Sequence, residues 1–326
     1  MARIVLGLAT SHSPQLSTPP DLWPLHGERD KHNPGLLDTG GTPVSYDELL
    51  AKANPSLERE IAPDKWQARY EACQQGIATL AKTLEQVSPD ILVIFGDDQE
   101  ELFSEENMPA MLVYWGEELL NRPHYANAAS PGLRAAAWAY GEMDKTYPVA
   151  TNLGRHLIES LIGAGFDVAH SRKLKPGEGM GHAFSFVYGR LMNGKTIPTL
   201  PIMVNTYYPP NQPTPRRCFD LGRAARAAIE AWPNDARVAV IGSGGLSHFV
   251  IDEELDHQII KAMQEKDAEA LGGLPQRRLN SGTSEVRNWI ATAGAMEHLD
   301  MHLIDYVPCY RSPAGTGCAM GFAQWR

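Results

Sequence analysis

Cysteine is scarce: Cys73, Cys218, Cys309 and Cys318 are the only four in 326 residues, widely spaced and without a Cys-x-x-Cys pair. That excludes a disulfide framework and a zinc ribbon, and it fits free thiols in a reducing cytoplasm. Excess positive charge is lacking as well. With 29 Lys and Arg against 39 Asp and Glu, the net charge of -10 argues against nucleic acid as a partner. No apolar run approaches the roughly 18 residues of a membrane helix. The apolar start Arg3–Ala9 is too short for a secretory leader and reads as a first strand. Familiar catalytic signatures are also missing. Gly242-x-Gly244 meets Ser247 where a dinucleotide fingerprint needs a third small residue, and neither Ser243 nor Ser247 sits in a nucleophile elbow. Walker A, His-Glu-x-x-His and internal repeats are absent.

What is present is globular material, 43% hydrophobic, enough to bury a full core. Apolar runs predict strands at 3–9, 91–95, 111–115, 166–170, 197–204, 238–241, 299–309 and 318–324. The continuous run Ile91–Phe95 reads as a central strand buried on both faces. Trp66, Tyr70, Cys73, Ile77, Leu80 and Leu84 predict a helix over 63–87; further helices are expected near 133–140, 151–165, 184–188, 218–231, 252–271 and 283–294. Residues 17–63, with seven prolines, read as an irregular but ordered covering segment anchored by Trp23, Leu25, Leu36, Leu37 and Tyr46. Its His26 and His32 are expected at the surface.

Polar residues collect where elements end. His12 follows strand one, Asp97-Asp98-Gln99 follows Ile91–Phe95, and His182 opens a helix after a glycine-rich loop. Val238–Ile241 breaks into Gly242-Ser-Gly-Gly245, whose glycines allow positive φ and close backbone approach, and delivers His248. Glu285 falls in the first turn of the 283–294 helix. Singly, each has a structural reading: His248 and His182 as caps, Asp97–Gln99 as a turn, Glu285 as a helix-dipole residue. Together they stand where open α/β sheets bind ligands. Nitrogen donors with a carboxylate suggest non-haem iron or a similar divalent ion.

Several segments carry a family likeness: Ser11-His12-Ser-Pro14, Asp90–Phe95 leading to Asp98-Gln99, Gly181-His182, Asn205 through Pro209-Pro210 to Arg217-Cys218-Phe-x-Leu-Gly222, Gly242-Ser-Gly-Gly-Leu-Ser-His248, and Ser284-Glu285. In this order they resemble the class III extradiol ring-cleavage dioxygenases, over nearly the whole chain apart from 17–63. The resemblance implies one large α/β domain over 1–326, a mixed central sheet flanked by helices, with 17–63 as an inserted covering loop. It implies Fe(II) held by His12, Glu285 and the residue at position 99, where the family has histidine and this chain has Gln99. An amide oxygen is a poorer donor than imidazole. Gln99 is the favoured ligand, with Asp98, His26 or His32 as alternatives. His248 matches the family's acid/base histidine and His182 a histidine near the substrate.

The expected partners are a small catechol-like aromatic, carboxylated or not, and O2, with no nucleic acid, no membrane, and a homodimeric assembly in the cytoplasm. Tyr207 and Arg217 are the candidate substrate contacts, followed by Tyr208, Arg216 and Arg311. Because Gln99 departs from the family pattern, two other classes stay open: a binding protein without metal, and a metal-dependent hydrolase that uses no O2. Metal content and O2 uptake separate the three.

Overall fold

The computed structural model describes residues 1–326. Eleven strands form in chain order: β1 (Arg3–Thr10), β2 (Ile91–Gly96), β3 (Met111–Tyr114), β4 (Glu118–Asn121), β5 (Lys145–Pro148), β6 (Ala169–Ser171), β7 (Thr199–Val204), β8 (Arg237–Ser243), β9 (His248–Val250), β10 (Met301–Tyr310) and β11 (Thr316–Trp325). Nine of them make one sheet in the order β10-β11-β1-β8-β2-β7-β3-β6, with β9 paired to β11; β4 and β5 form a separate hairpin. The four strands β1, β8, β2 and β7 run parallel. Antiparallel strands β11 and β10 extend one side and β3 the other, so the sheet is mixed. Every residue of β2 and β7 is buried, as strands covered on both faces require. Pro201 sits inside β7 without breaking it, because the ladder to β3 ends at Ile202.

Helices cover both faces. Along β11, alternation sends Phe322 and Gln324 to Gly76 and Thr83 of the helix Pro63–Val87. Gly321 faces the other way, against Trp289 of the helix Val286–Met296, and Gly7 of β1 accepts Met296 of that same helix. The helix Pro215–Ala231 packs on Val286–Met296 through glycine, with Gly222 directly over the Ala291 carbonyl.

Several boundaries differ from expectation for local reasons. The 252–271 helix is two, Glu253–Gln264 and Ala268–Gly272, because Lys266 turns left-handed (φ 57°) and Asp267 caps the second. Residues 281–285 form a 3-10 turn before Val286–Met296, so Glu285 stands at the N-cap and not in the first turn. The expected strand at 166–170 is reduced to β6 at the sheet edge.

Residues 17–63 are not irregular. They contain the helices Trp23–Asp30, Tyr46–Lys52 and Leu57–Glu60, the second opened by a Ser45–Glu48 capping box. Trp23 is wholly buried and its indole donates to the Thr18 carbonyl at 3.0 Å. Asp30 takes a two-point ion pair from Arg311, at 2.7 and 2.8 Å, with both residues buried. That pair pins the segment to the residue following β10. Asp30→Asn is expected to cost about 3–5 kcal/mol in urea unfolding, since it strands a buried guanidinium. Asp30→Leu combined with Arg311→Met should recover most of that loss, an apolar pair being a tolerable substitute for a buried ionic one.

Candidate functional site

The carboxyl ends of four parallel neighbours, β1, β8, β2 and β7, open on one rim. From them project His12, the Asp97–Gln99 turn, the Gly244–Ser247 turn with His248, and Tyr207. His12, Gln99, His182, Tyr207, His248 and Glu285 all line one cavity of about 190 Å³. Glu285 is its hub. One carboxylate oxygen accepts the Gly245 N–H at 2.6 Å and lies 3.3 Å from His12 Nε2. The other lies 3.0 Å from Gln99 Nε2, 3.3 Å from His248 Nε2 and 3.4 Å from the Tyr207 hydroxyl. Burial pushes the Glu285 pKa up, but His12 and His248 outweigh it and hold the carboxyl well below its ordinary value.

The tautomers follow from the hydrogen bonds. Ser243 donates its hydroxyl to the Ala183 carbonyl at 2.6 Å, so at the 3.0 Å contact with His12 Nδ1 it can only accept. Nδ1–H of His12 is therefore the donor, and in the neutral ring the lone pair sits on Nε2. That atom is buried and has no hydrogen-bond partner, the condition of a nitrogen prepared for a cation. His248 is oriented the same way: Nδ1 points at the Leu246 carbonyl at 2.8 Å, which leaves Nε2 facing the cavity. The glycine break serves close approach alone. None of its glycines has positive φ, and a Cβ on Gly245 would lie 2.5 Å from the His248 ring.

Asp97 adds a second buried carboxylate. It accepts from Asn288 at 3.0 Å and Gln99 at 3.2 Å, and burial followed by the charge of Glu285 raises its pKa to about 6. Ligand atoms of His12, Asp97 and His182 lie within 4.8 Å of one another. His182 presents the carboxylate–histidine arrangement seen behind many metal ligands: Nδ1 meets Glu101 at 3.0 Å, and Glu101 also caps its backbone N–H. Burial alone would depress the His182 pKa; Glu101 reverses this and raises it to about 9. The cavity thus holds two donor sets for a divalent ion that share His12: the expected His12, Gln99 and Glu285, and His12 with Asp97 and His182. Two buried carboxylates among imidazoles form a site that a cation would neutralise.

The alternatives for the position of Gln99 separate clearly. Asp98 turns away from the cavity and accepts the backbone N–H groups of Leu102 and Phe103, both at 3.0 Å. His32 is exposed. His26, expected at the surface, is buried in the cavity wall, 2.9 Å from Thr18 Oγ1, with its pKa lowered to about 3 by burial and then by Arg311.

Arg217 is not brought to the cavity: it lies on the protein surface over the Phe166 ring at 3.8 Å and donates to the Gly165 carbonyl. Arg216 pairs with Glu269 at 2.7 Å, also outside. Tyr207 does line the cavity, and Arg311 does so with its charge already taken by Asp30.

Residues that sequence reasoning passed over hold the site together. Asp256, buried, fixes the turn before His248 by accepting Ser247 N–H at 2.8 Å and its hydroxyl at 2.6 Å. Arg287, wholly buried, donates to the carbonyls of Pro213 (2.8 Å), Leu279 (2.5 Å) and Ser284 (3.3 Å), tying the Tyr207 loop to the turn of Glu285. Tyr125 lines the cavity with a left-handed backbone, φ 63°, and stacks edge-on against Tyr140. A run of acids marked Glu101 only weakly, and nothing local marked Arg287.

A family profile described as the catalytic LigB subunit of aromatic ring-opening dioxygenase matches residues 54–315. The chain is similar to the 2,3-dihydroxyphenylpropionate/2,3-dihydroxicinnamic acid 1,2-dioxygenase of Photorhabdus laumondii subsp. laumondii, 32% identical over 54% of this chain and 48% of that one. It is similar to the gallate dioxygenase of Pseudomonas putida, 34% identical over 44% of this chain and 41% of that one. A Rhodococcus enzyme of the first name aligns more widely, at 26% identity over 80% of this chain and 75% of its own. The chain therefore spans about half the length of the first of these relatives.

The ion pairs of the site make apo-protein stability depend on pH. His182 and His248 both rise from 6.5 to about 9, against the depressing effect of burial, through Glu101 and Glu285 respectively. A raised histidine contributes fully below pH 6.5 and loses its contribution as pH climbs through 9. Asp97, raised to about 6, has finished titrating below most of that window. Chelator-treated protein should therefore lose on the order of a few kcal/mol between about pH 6.5 and 9. Glu101→Gln should flatten part of that decline in thermal melts; an unchanged slope would show that the Glu101–His182 pair does not drive it.

Proposed function

The chain belongs to the LigB family of catalytic subunits of aromatic ring-opening dioxygenases, and on that premise we propose that it opens the ring of a catechol-like substrate with O2 at a ferrous centre held by His12, Gln99 and Glu285. The observation that carries this reading is the buried, unpartnered His12 Nε2 beside the Glu285 carboxylate, with His248 across the same cavity. The 2,3-dihydroxyphenyl substrate in the relatives' names supports adjacent ring oxygens as the recognised feature. Four free, dispersed thiols support a reducing compartment, the cytoplasm.

Fe(II), held by His12, Gln99 and Glu285, would supply Lewis acidity and redox chemistry toward an aromatic diol and O2. The protein's own residues supply orientation and proton transfer. With Nδ1–H fixed on the Leu246 carbonyl, His248 exchanges protons only at Nε2, toward the cavity. It takes the proton of a ring hydroxyl and later returns it to oxygen as the ring bond breaks. Glu285 holds that imidazole protonated in the metal-free protein; a cation engaging Glu285 weakens the hold and brings His248 closer to neutral titration. His182, kept cationic by Glu101, offers a positive charge to a developing oxyanion. Tyr207 closes the wall beside Glu285. In the metal-free arrangement the Gln99 amide nitrogen faces both carboxylates; rotation of the amide by half a turn presents its oxygen to a cation instead.

Substitutions at three positions test the assignment. His248→Ala should leave iron binding and fold intact and lower turnover by about 10²–10⁴-fold, the usual worth of a positioned acid/base group. Loss of iron in that variant would make His248 a ligand instead. Gln99→Ala should weaken iron binding by about ten-fold or more, and Gln99→His should restore or tighten it. If Gln99→Ala binds iron as wild type does while Asp97→Asn does not, the second donor set holds the metal. Iron-loaded protein that takes up no O2 with any catechol would overturn the dioxygenase reading.

A further inference from the structure

Two arginines reach the cavity, and they differ in one respect. Arg311 is neutralised: Asp30 takes it at two points, and Gln15 accepts a further bond at 2.9 Å. Arg29 lines the same cavity, yet its guanidinium makes no hydrogen bond and no ion pair. The acids beside it in sequence are committed elsewhere, Asp30 to Arg311 and Glu28 to Lys31 at 2.8 Å. Arg29 is exposed while also lining the cavity, which places it at the mouth. Burial lowers its pKa first and the neighbouring Arg311 charge second, with Asp30 acting the other way.

Its position is fixed from below. In the helix Trp23–Asp30, Trp23, Gly27 and Asp30 are buried, and Gly27 sits so close to the Arg311 carbonyl that a Cβ there would approach it to 2.6 Å. A rigid base under a long, unpaired guanidinium is the arrangement that captures planar anions. Pro14, Leu133 and Phe249 add apolar wall to the same cavity. At about 190 Å³ the cavity has room for a single ring with a short substituent.

We propose that Arg29 is the specificity residue of this site: it receives a carboxylate carried on a short side chain of the aromatic ring, opposite the hydroxyls that face His12 and Glu285. This rests on reading the cavity as an aromatic ring-cleavage site. Arg29 lies in the 17–63 segment, before residues 54–315 that the family profile matches. The covering segment thereby supplies a recognition group as well as a wall.

The test compares a catechol bearing a carboxymethyl group with one bearing a methyl group, on iron-loaded wild type and Arg29→Gln. Anaerobic calorimetry reads binding without turnover, and O2 uptake reads kcat and KM. Arg29→Gln should weaken binding and raise KM for the acid by about ten- to a hundred-fold, the worth of a charge-assisted pair, with kcat and the methyl compound unchanged. Arg29→Lys should keep part of the preference. Arg29→Glu should transfer it to a catechol bearing an aminomethyl group. Equal binding of the acid by wild type and Arg29→Gln overturns the proposal, as does a parallel loss for both compounds. If neither catechol is cleaved yet binding of the acid still depends on Arg29, the ring-cleavage reading fails and the recognition role stands.

Discussion

One buried carboxylate organises the functional end of this protein. Glu285 is 3% exposed and touches five groups from four places in the chain: His12, Gln99, Tyr207, and the turn carrying Gly245 and His248. A carboxylate out of water is tolerable only when its lone pairs are met by donors and its charge by cations. The His248 imidazole, an amide, a hydroxyl and a backbone N–H meet that condition in part, while the unpartnered Nε2 of His12 faces the same carboxylate. Asp97 titrates high, at about 6, because it is buried and lies beside the Glu285 charge. A divalent ion would offset both effects.

The sheet explains how four distant segments reach one carboxylate. Parallel strands direct all their carboxyl ends to one rim, so residues just past β1, β2, β7 and β8 meet without any being near in sequence. Antiparallel β11 then brings Cys318 against His248 through β9, closing the rim from the far side. Small residues govern the final approach. Gly245 lets the His248 ring lie against the turn, and Gly282 does the same from the Glu285 side, where a Cβ would come within 2.3 Å of His248.

Behind this contact set stands a layer of buried or half-buried polar groups outside the cavity lining. Ser243 fixes the His12 tautomer, Glu101 the His182 charge, Asp256 the turn before His248 and Arg287 the loops of Tyr207 and Glu285. Each has several of its bonds satisfied by backbone or by a single side chain, so each transmits the geometry of one element to another. The Asp30–Arg311 pair plays that part for the inserted segment, which carries its own short helices onto the rim.

Residues that act by local pattern were legible in the sequence. The run Ile91–Phe95 had to be a doubly covered strand, and Trp66 to Leu84 had to be one helix face, because burial imposes those periods. His12, Gln99, Glu285, His182 and His248 stood out because polar residues at element ends mark a rim, and the family resemblance gave them an order. Tertiary structure decided the rest. His26 became buried because the insertion folds inward, and Arg217 left the site because α-helical phase turned it onto Phe166. Asp98 was kept out of the cavity because its oxygens cap the next turn. Pairings such as Asp30 with Arg311, Glu101 with His182 and Arg287 with four loop carbonyls join residues up to hundreds of positions apart. No period or spacing encodes such contacts; they exist only once the sheet has set its strand order.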